Sequence, residues 1–162
     1  VTRSESPTAL ATEAWRAILD FIGATAWRRT RILAELGLTV NDSRALSTLE
    51  SDAGRTMRSL ADEWSCDAST ATWIVDRLEK KGFAERRPDA TDRRLRMVFL
   101  TPAGVRMREE MLLHMYAAPP ELLDLEAADL VVLRDGVVRL PAIPPETSPR
   151  RSSDAAANRR SR

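Results

Sequence analysis

The 162-residue sequence has one cysteine, one histidine, six glycines and two lysines among its 25 basic residues. A single thiol, Cys66, excludes an intramolecular disulfide and any multi-cysteine metal site. With His114 as the one histidine and no ligand spacing around it, no zinc centre is expected. Scarce glycine means few strands and tight turns. No apolar run approaches the roughly 18–20 residues that a membrane crossing needs, and residues 1–7 lack the apolar centre of a signal peptide. The expectation is therefore a cytoplasmic protein with no membrane partner. Val1 in the place of methionine fits a GUG start and a bacterial source. Enzymatic chemistry fails on inventory: there is no glycine-rich phosphate loop, no nucleophile elbow and no Cys/His pair at a diagnostic spacing. No catalytic residue and no cofactor is expected.

What is present is ordinary for a folded domain: 43% hydrophobic and 30% charged residues, at a length sufficient for a real core. The net charge of +1 conceals an uneven distribution. Residues 86–96 hold five arginines against Asp89 and Asp92, and residues 141–162 hold five against Glu146 and Asp154. Cations concentrated on one face can bind nucleic acid whatever the overall balance.

Hydrophobic spacing predicts mainly helices. Residues 1–10 are polar and expected to be flexible. Trp15, Ile18, Leu19, Ile22, Ala26, Leu33 and Leu36 follow a helical period over about 12–37, with Gly37 where a C-terminal cap belongs. Phe21 and Trp27 form a second apolar set on this helix, so a partner subunit is a reasonable expectation. A second helix over about 41–50 takes Asn41 or Asp42 as its cap. Residues 52–55 form a turn, and Thr56 caps a short third helix bearing Met57, Leu60, Ala61 and Trp64. After a turn at 65–67, a fourth helix runs to Lys81 and stops at Gly82, with Ala71, Ile74, Val75 and Leu78 inward. The period then changes: 83–87 and 95–100 are short strands around a polar tip. Thr101-Pro102 starts a fifth helix as cap and first residue. Pro119-Pro120 ends it, and a sixth helix uses Leu130, Leu133, Val137 and Leu140. Residues 141–162 are expected to be a disordered basic tail.

Helix, three-residue turn, helix and hairpin over 55–100 fit a winged helix-turn-helix, in which the second helix enters the DNA major groove. Its outer face here is Ser69, Thr70, Thr72, Trp73, Asp76, Arg77 and Lys80. A thin basic hairpin tip suits the minor groove, where the negative potential attracts arginine. Asp92, two residues before Arg94, is placed to orient it.

These segments resemble the MarR family of transcriptional regulators. The resemblance rests on Leu60-Ala61, Asp67-Ala68-Ser69-Thr70, Val75-Asp76-Arg77-Leu78-Glu79-Lys80-Lys81-Gly82 and Glu85-Arg86-Arg87-Pro88. It rests equally on Asp92-Arg93-Arg94-Leu95-Arg96-Met97-Val98-Phe99-Leu100-Thr101, which matches the family wing pattern D-x-R-x-x-x-V-x-L-T. The resemblance implies a MarR-like domain over 11–140: a winged helix-turn-helix at about 40–101 and dimerisation helices at about 12–37 and 102–140. It implies a homodimer on a palindromic site in double-stranded DNA, acting as a repressor released by a small aromatic effector. The candidate DNA-binding residues are Arg55, Thr56, Ser69, Thr70, Thr72, Trp73, Arg77, Arg86, Arg93 and Arg94, with Asp92 supporting the wing. Trp15, Trp27, Met111, His114 and Met115 are candidates for an effector cleft, against the plainer reading that they are core. Trp73 departs from the family pattern, in which arginine or another polar residue is common; an indole makes no bidentate contact to guanine but packs on a thymine methyl or a sugar. Cys66 is expected to be an idle thiol. The competing reading is a winged-helix protein–protein interaction module without specific DNA binding.

Overall fold

Ser6 and Pro7 begin the first helix earlier than the apolar period suggests. The Ser6 hydroxyl accepts the Ala9 amide at 3.2 Å, and Pro7 occupies a position where its missing N–H costs nothing. Helix α1 is thus Pro7–Glu35, so residues 7–10 are helical and not loose. The computed structural model describes residues 6–89 and 92–141; the remainder of the expected flexible N-terminus and the basic tail after 141 lie outside them. The other elements are α2 (Val40–Thr48), β1 (Arg55–Thr56), α3 (Met57–Glu63), α4 (Ala68–Lys80), β2 (Ala84–Pro88), β3 (Arg96–Leu100), α5 (Pro102–Tyr116), α6 (Pro120–Leu123) and α7 (Ala127–Val138).

Gly37 ends α1 as expected. It sits at φ 66°, and the paired bonds Gly37 N–H to Ala34 O and Leu38 N–H to Leu33 O close the terminus. The cap of α2 is a correction. Thr39, not Asn41 or Asp42, precedes the helix; its hydroxyl accepts the Asp42 amide while the Asp42 carboxylate accepts the Thr39 amide. That reciprocal pair draws Asp42 into the interior.

The sheet has three strands in the order β1-β3-β2, all antiparallel. The hairpin was expected; β1 was not, since Arg55 opposite Val98 and Thr56 opposite Met97 replace the tail of a predicted turn. Thr56 then caps α3 by accepting the Ser59 amide at 3.1 Å. Ser65, at φ 51°, turns the chain from α3 into α4. Helix α4 buries Ala71, Ile74, Val75 and Leu78, the inward set its spacing predicts.

These elements enclose one core. Leu46, Leu49, Leu60, Trp64, Val75, Leu78, Val98, Leu100 and Met111 are fully buried in it, and the Trp64 indole donates to the Thr48 hydroxyl at 2.9 Å. Helix α3 packs on α4, while α2 packs on α4 and α5. Gly104 permits a close approach of α5 to the hairpin base: a Cβ there would lie 2.0 Å from the Phe83 carbonyl oxygen. The result is a mostly helical winged helix-turn-helix with a small sheet.

The chain divides into two compact units, residues 1–123 and 124–162. In the second, α7 has no side-chain cap and no buried residue, and Leu140 of its predicted stripe lies beyond its last residue. Among the described residues no helix is long and apolar enough to cross a membrane.

Candidate nucleic-acid interface

Helix α4 opens on Asp67, whose carboxylate accepts the Thr70 amide at 2.8 Å, the Thr70 hydroxyl at 2.9 Å and the Ser69 hydroxyl. The Ser69 hydroxyl bond, followed by the two from Thr70, holds this carboxyl well below the usual carboxylate range. The Thr72 hydroxyl donates back to the Ala68 carbonyl at 2.8 Å. The three hydroxyl groups therefore have their protons engaged within the first turns, although Ser69 and Thr72 remain exposed.

Arg77, expected among the DNA-binding residues, is engaged within the chain. Its Nε lies 3.1 Å from the carboxylate of Asp42, and its guanidinium carbon lies 5.6 Å from the centroid of the Trp73 ring. Lys81 joins the same carboxylate at 3.1 Å and also donates to the Gly37 carbonyl. Asp42 is 0% exposed. Burial alone would raise its pKa; the Thr39 amide, Lys81 and Arg77 outweigh it and hold the carboxyl below its ordinary value. The network ties the outer side of α4 to the start of α2.

Arg86 is likewise engaged. Its Nη1 lies 2.7 Å from Asp76 and also meets Glu79, whose other carboxylate oxygen accepts the Arg86 amide at 2.9 Å. Two α4 carboxylates thereby hold the base of the wing, strand β2. Arg55 pairs with Glu63 and donates to Ser59 at 3.2 Å, so it braces β1 against α3. Arg55, Thr56 and Arg86, all expected among the DNA-binding residues, thus have partners within the chain.

At the wing tip the Asp89 amide donates to the Leu95 carbonyl at 3.0 Å and the Leu95 amide to the Asp92 carbonyl at 2.9 Å. Asp92 supports Arg94 through the backbone, its carboxylate accepting the Arg94 amide at 3.0 Å. Arg93, Arg94 and Arg96 are exposed, and their guanidinium groups have no ion-pair partner among the described residues.

Residues 36–95 match the sequence model of the MarR family. The solved structure of YusO from Bacillus subtilis is 20% identical, with a TM-score of 0.68 over 83% of this chain and 96% of that one. A mutant of MepR from S. aureus bound to an oligodeoxyribonucleotide is 19% identical, with a TM-score of 0.64 over 76% of this chain and 93% of that one. Wild-type MarR from E. coli, in its apo form, is 26% identical, with a TM-score of 0.60 over 78% and 96%. The match to the MarR family model covers the helix-turn-helix and most of the wing. The fold of the chain is that of the MarR-family winged-helix transcriptional regulators. A comparison with curated proteins gives no match.

A second feature of the chain is a cavity of about 400 Å³ between the C-terminal half of α1 and the end of α5. Three of the five expected cleft residues, Trp27, His114 and Met115, line it. The other two do not. Met111 is buried in the core, and Trp15 lies exposed two turns nearer the start of α1. The sequence reading missed the cationic wall. Arg28 stacks 4.8 Å from the Trp27 centroid and pairs with Glu121 at 2.6 Å, and its Nε is buried without a hydrogen-bond partner among the described residues. Arg28 and Arg31 lie beyond the period that marks the apolar face, so only the fold gathers them. Cys66 packs against the core, and burial followed by the charge of Asp67 pushes its thiol up, the opposite of the shift that activates a thiolate. Glu79 and Lys81 were given no role by sequence reasoning, Asp76 entered it only as an outer-face residue, and Asp42 only as a candidate cap. The Thr-x-x-Asp spacing at Thr39 was a signal for the cap, but nothing local pointed to the partners of Asp42 on α4.

Proposed function

We propose that this chain is a sequence-specific DNA-binding regulator of transcription, a homodimeric repressor on a palindromic operator, released by a small aromatic anion. The observation that carries the reading is the exposed face of α4 braced through Arg86 to a wing whose tip holds Arg93 and Arg94 unpaired. The positive end of the α4 dipole and unpaired guanidinium groups suit a phosphate backbone. Ser69, Thr70, Thr72 and Trp73 are the direct contacts on the helix, and Arg93 and Arg94 those on the wing. Arg77, Arg86, Arg55 and Thr56 position them. The MepR relative bound to an oligodeoxyribonucleotide supports the assignment.

The dimer reading is supported by apolar groups that the chain leaves uncovered. Helix α1 exposes Leu10, Trp15 and Leu19, α5 exposes Leu113 and Tyr116, and α7 exposes Val132 and Val138. The ligand reading is supported by the cavity that joins Trp27 to Arg28 and His114, an aromatic face beside cations, which suits an aromatic carboxylate or phenolate.

Selection of duplexes from a random pool, followed by fluorescence anisotropy across a salt series, tests the DNA reading. An enriched sequence whose log affinity falls steeply with log salt is the expected result. Failure to enrich any duplex would leave the protein–protein module, which the exposure of Trp73 favours. A thermal-shift panel of aromatic acids tests the cavity, with stabilisation by at least one acid expected.

A further inference from the structure

We propose that Trp73 is the base-reading group of α4, an apolar plate that recognises the C5-methyl of thymine, and that Arg77 is the positioning residue that holds it. This rests on the regulator reading above.

Trp73 is 53% exposed on a helix whose other large apolar residues, Ile74, Val75 and Leu78, are buried. The guanidinium of Arg77, one turn further on, lies over the indole at 5.6 Å, and its Nε is held at 3.1 Å by a carboxylate with no exposure to water. Swinging Arg77 out to take both acceptors of a guanine would remove a hydrogen-bond donor from a buried charge, which is strongly unfavourable. The cation that the sequence offers as a base reader is therefore tied back, and what α4 presents beside it is the indole. An indole has one N–H donor and no acceptor, so it makes no paired hydrogen bonds to a base edge. Its remaining surface is apolar, and the apolar mark in the major groove is the methyl of thymine. The protons of Ser69 and Thr72 are donated to Asp67 and to the Ala68 carbonyl, so these hydroxyls are not free donors to a base edge beside the indole. The Asp42–Arg77–Trp73 stack is thus a fixed support for one apolar contact per α4.

The test uses the full chain and a duplex enriched from a random pool. Each thymine is replaced in turn by deoxyuridine, which keeps the base pair and lacks the methyl. The expected result is one position in each half-site at which the replacement weakens binding about fourfold, the loss that one buried methyl carries. In Trp73→Ala, a surface substitution that leaves the core intact, that sensitivity disappears; in Trp73→Phe part of it remains. In Arg77→Ala the thymine-to-uridine ratio falls towards one while the salt slope is unchanged. A wild-type protein indifferent to every replacement, or a Trp73→Ala protein with undiminished sensitivity, overturns the assignment of Trp73. An Arg77→Ala protein that keeps the ratio but loses about one unit of salt slope makes Arg77 a phosphate contact and overturns its positioning role. Enrichment of no duplex at all would sink the regulator reading and this one with it, and is told apart from the other outcomes at the first step.

Discussion

Arg94 and Arg86 belong to one hairpin and differ in what surrounds their guanidinium groups. Arg94 is exposed and unpaired among the described residues, while Arg86 is held by Asp76 and Glu79. Substitution should separate them. Arg94→Ala is expected to weaken DNA binding by about 1–3 kcal/mol and leave the unfolding midpoint unchanged. Arg86→Ala is expected to lower stability by about 1 kcal/mol, because its partners keep access to water and the pair is worth little more than that. Anisotropy and urea denaturation on the two variants check this; equal effects on both readouts would mean that the ion pairs of Arg86 do not set its role. Asp42 gives a prediction with a pH axis. Its carboxyl is held below the ordinary value in the folded state, so its contribution is complete above the unfolded value of about 3.9 and is lost as pH falls through the folded one. Asp42→Asn should cost about 2–3 kcal/mol at neutral pH, less than a fully buried pair, since Arg77 and Lys81 retain part of their hydration. The difference between wild type and Asp42→Asn should shrink as pH drops from 5 towards 3. A constant difference across that range would show that Asp42 acts through packing and not through its charge.

Among the elements, those whose information is local were legible in the sequence. Helix α4 shows it best: the set Ala71, Ile74, Val75 and Leu78 is recognisable from spacing and is the set that is buried. Thr101 with Pro102, and Gly37 after α1, carry their terminus signals within a few residues. Ser6-Pro7 carries the same kind of signal, but polar Thr8 follows it and the helical series of apolar residues becomes marked only from Trp15. Strand β1 is two residues long and has no period to detect; it exists because β3 has an edge to offer. The site was legible as a list of cations on α4 and the hairpin, not as a division of labour. Whether Arg77 is free or paired depends on Asp42, 35 residues away in the chain, and on the burial of that carboxylate. One long-range element contact gives a sharp prediction. Gly104 leaves α5 no room for a side chain against the Phe83 carbonyl, an oxygen that also accepts the Thr101 amide at 3.0 Å. Gly104→Ala should therefore cost about 2–3 kcal/mol despite the higher helix propensity of alanine. A neutral or stabilising effect in chemical denaturation would mean that α5 shifts freely on the hairpin base.

For the whole molecule the deciding quantity is the apolar surface left open. Helix α1 has 29 residues, and Leu33 is the one buried side chain in it, although Trp15 and Leu19 repeat at helical spacing. A helix of that length does not owe its stability to propensity alone; a covered apolar face normally supplies it. If a second copy supplies the cover, folding and association are linked, and the thermal midpoint of the wild-type chain should rise with protein concentration. Trp15→Glu and Leu19→Glu together should abolish that dependence and yield a monomer by sedimentation equilibrium. The core around Trp64 and Leu46 does not include either residue, so the helix-turn-helix should remain folded by near-ultraviolet circular dichroism. DNA affinity should fall by far more than the loss of any single contact, since two α4 helices held in one dimer bind a palindrome with an effective concentration that separate copies lack. A double variant that becomes monomeric yet binds the enriched duplex as tightly as wild type would show that one winged helix is sufficient for recognition. A variant that stays dimeric would move the interface away from α1.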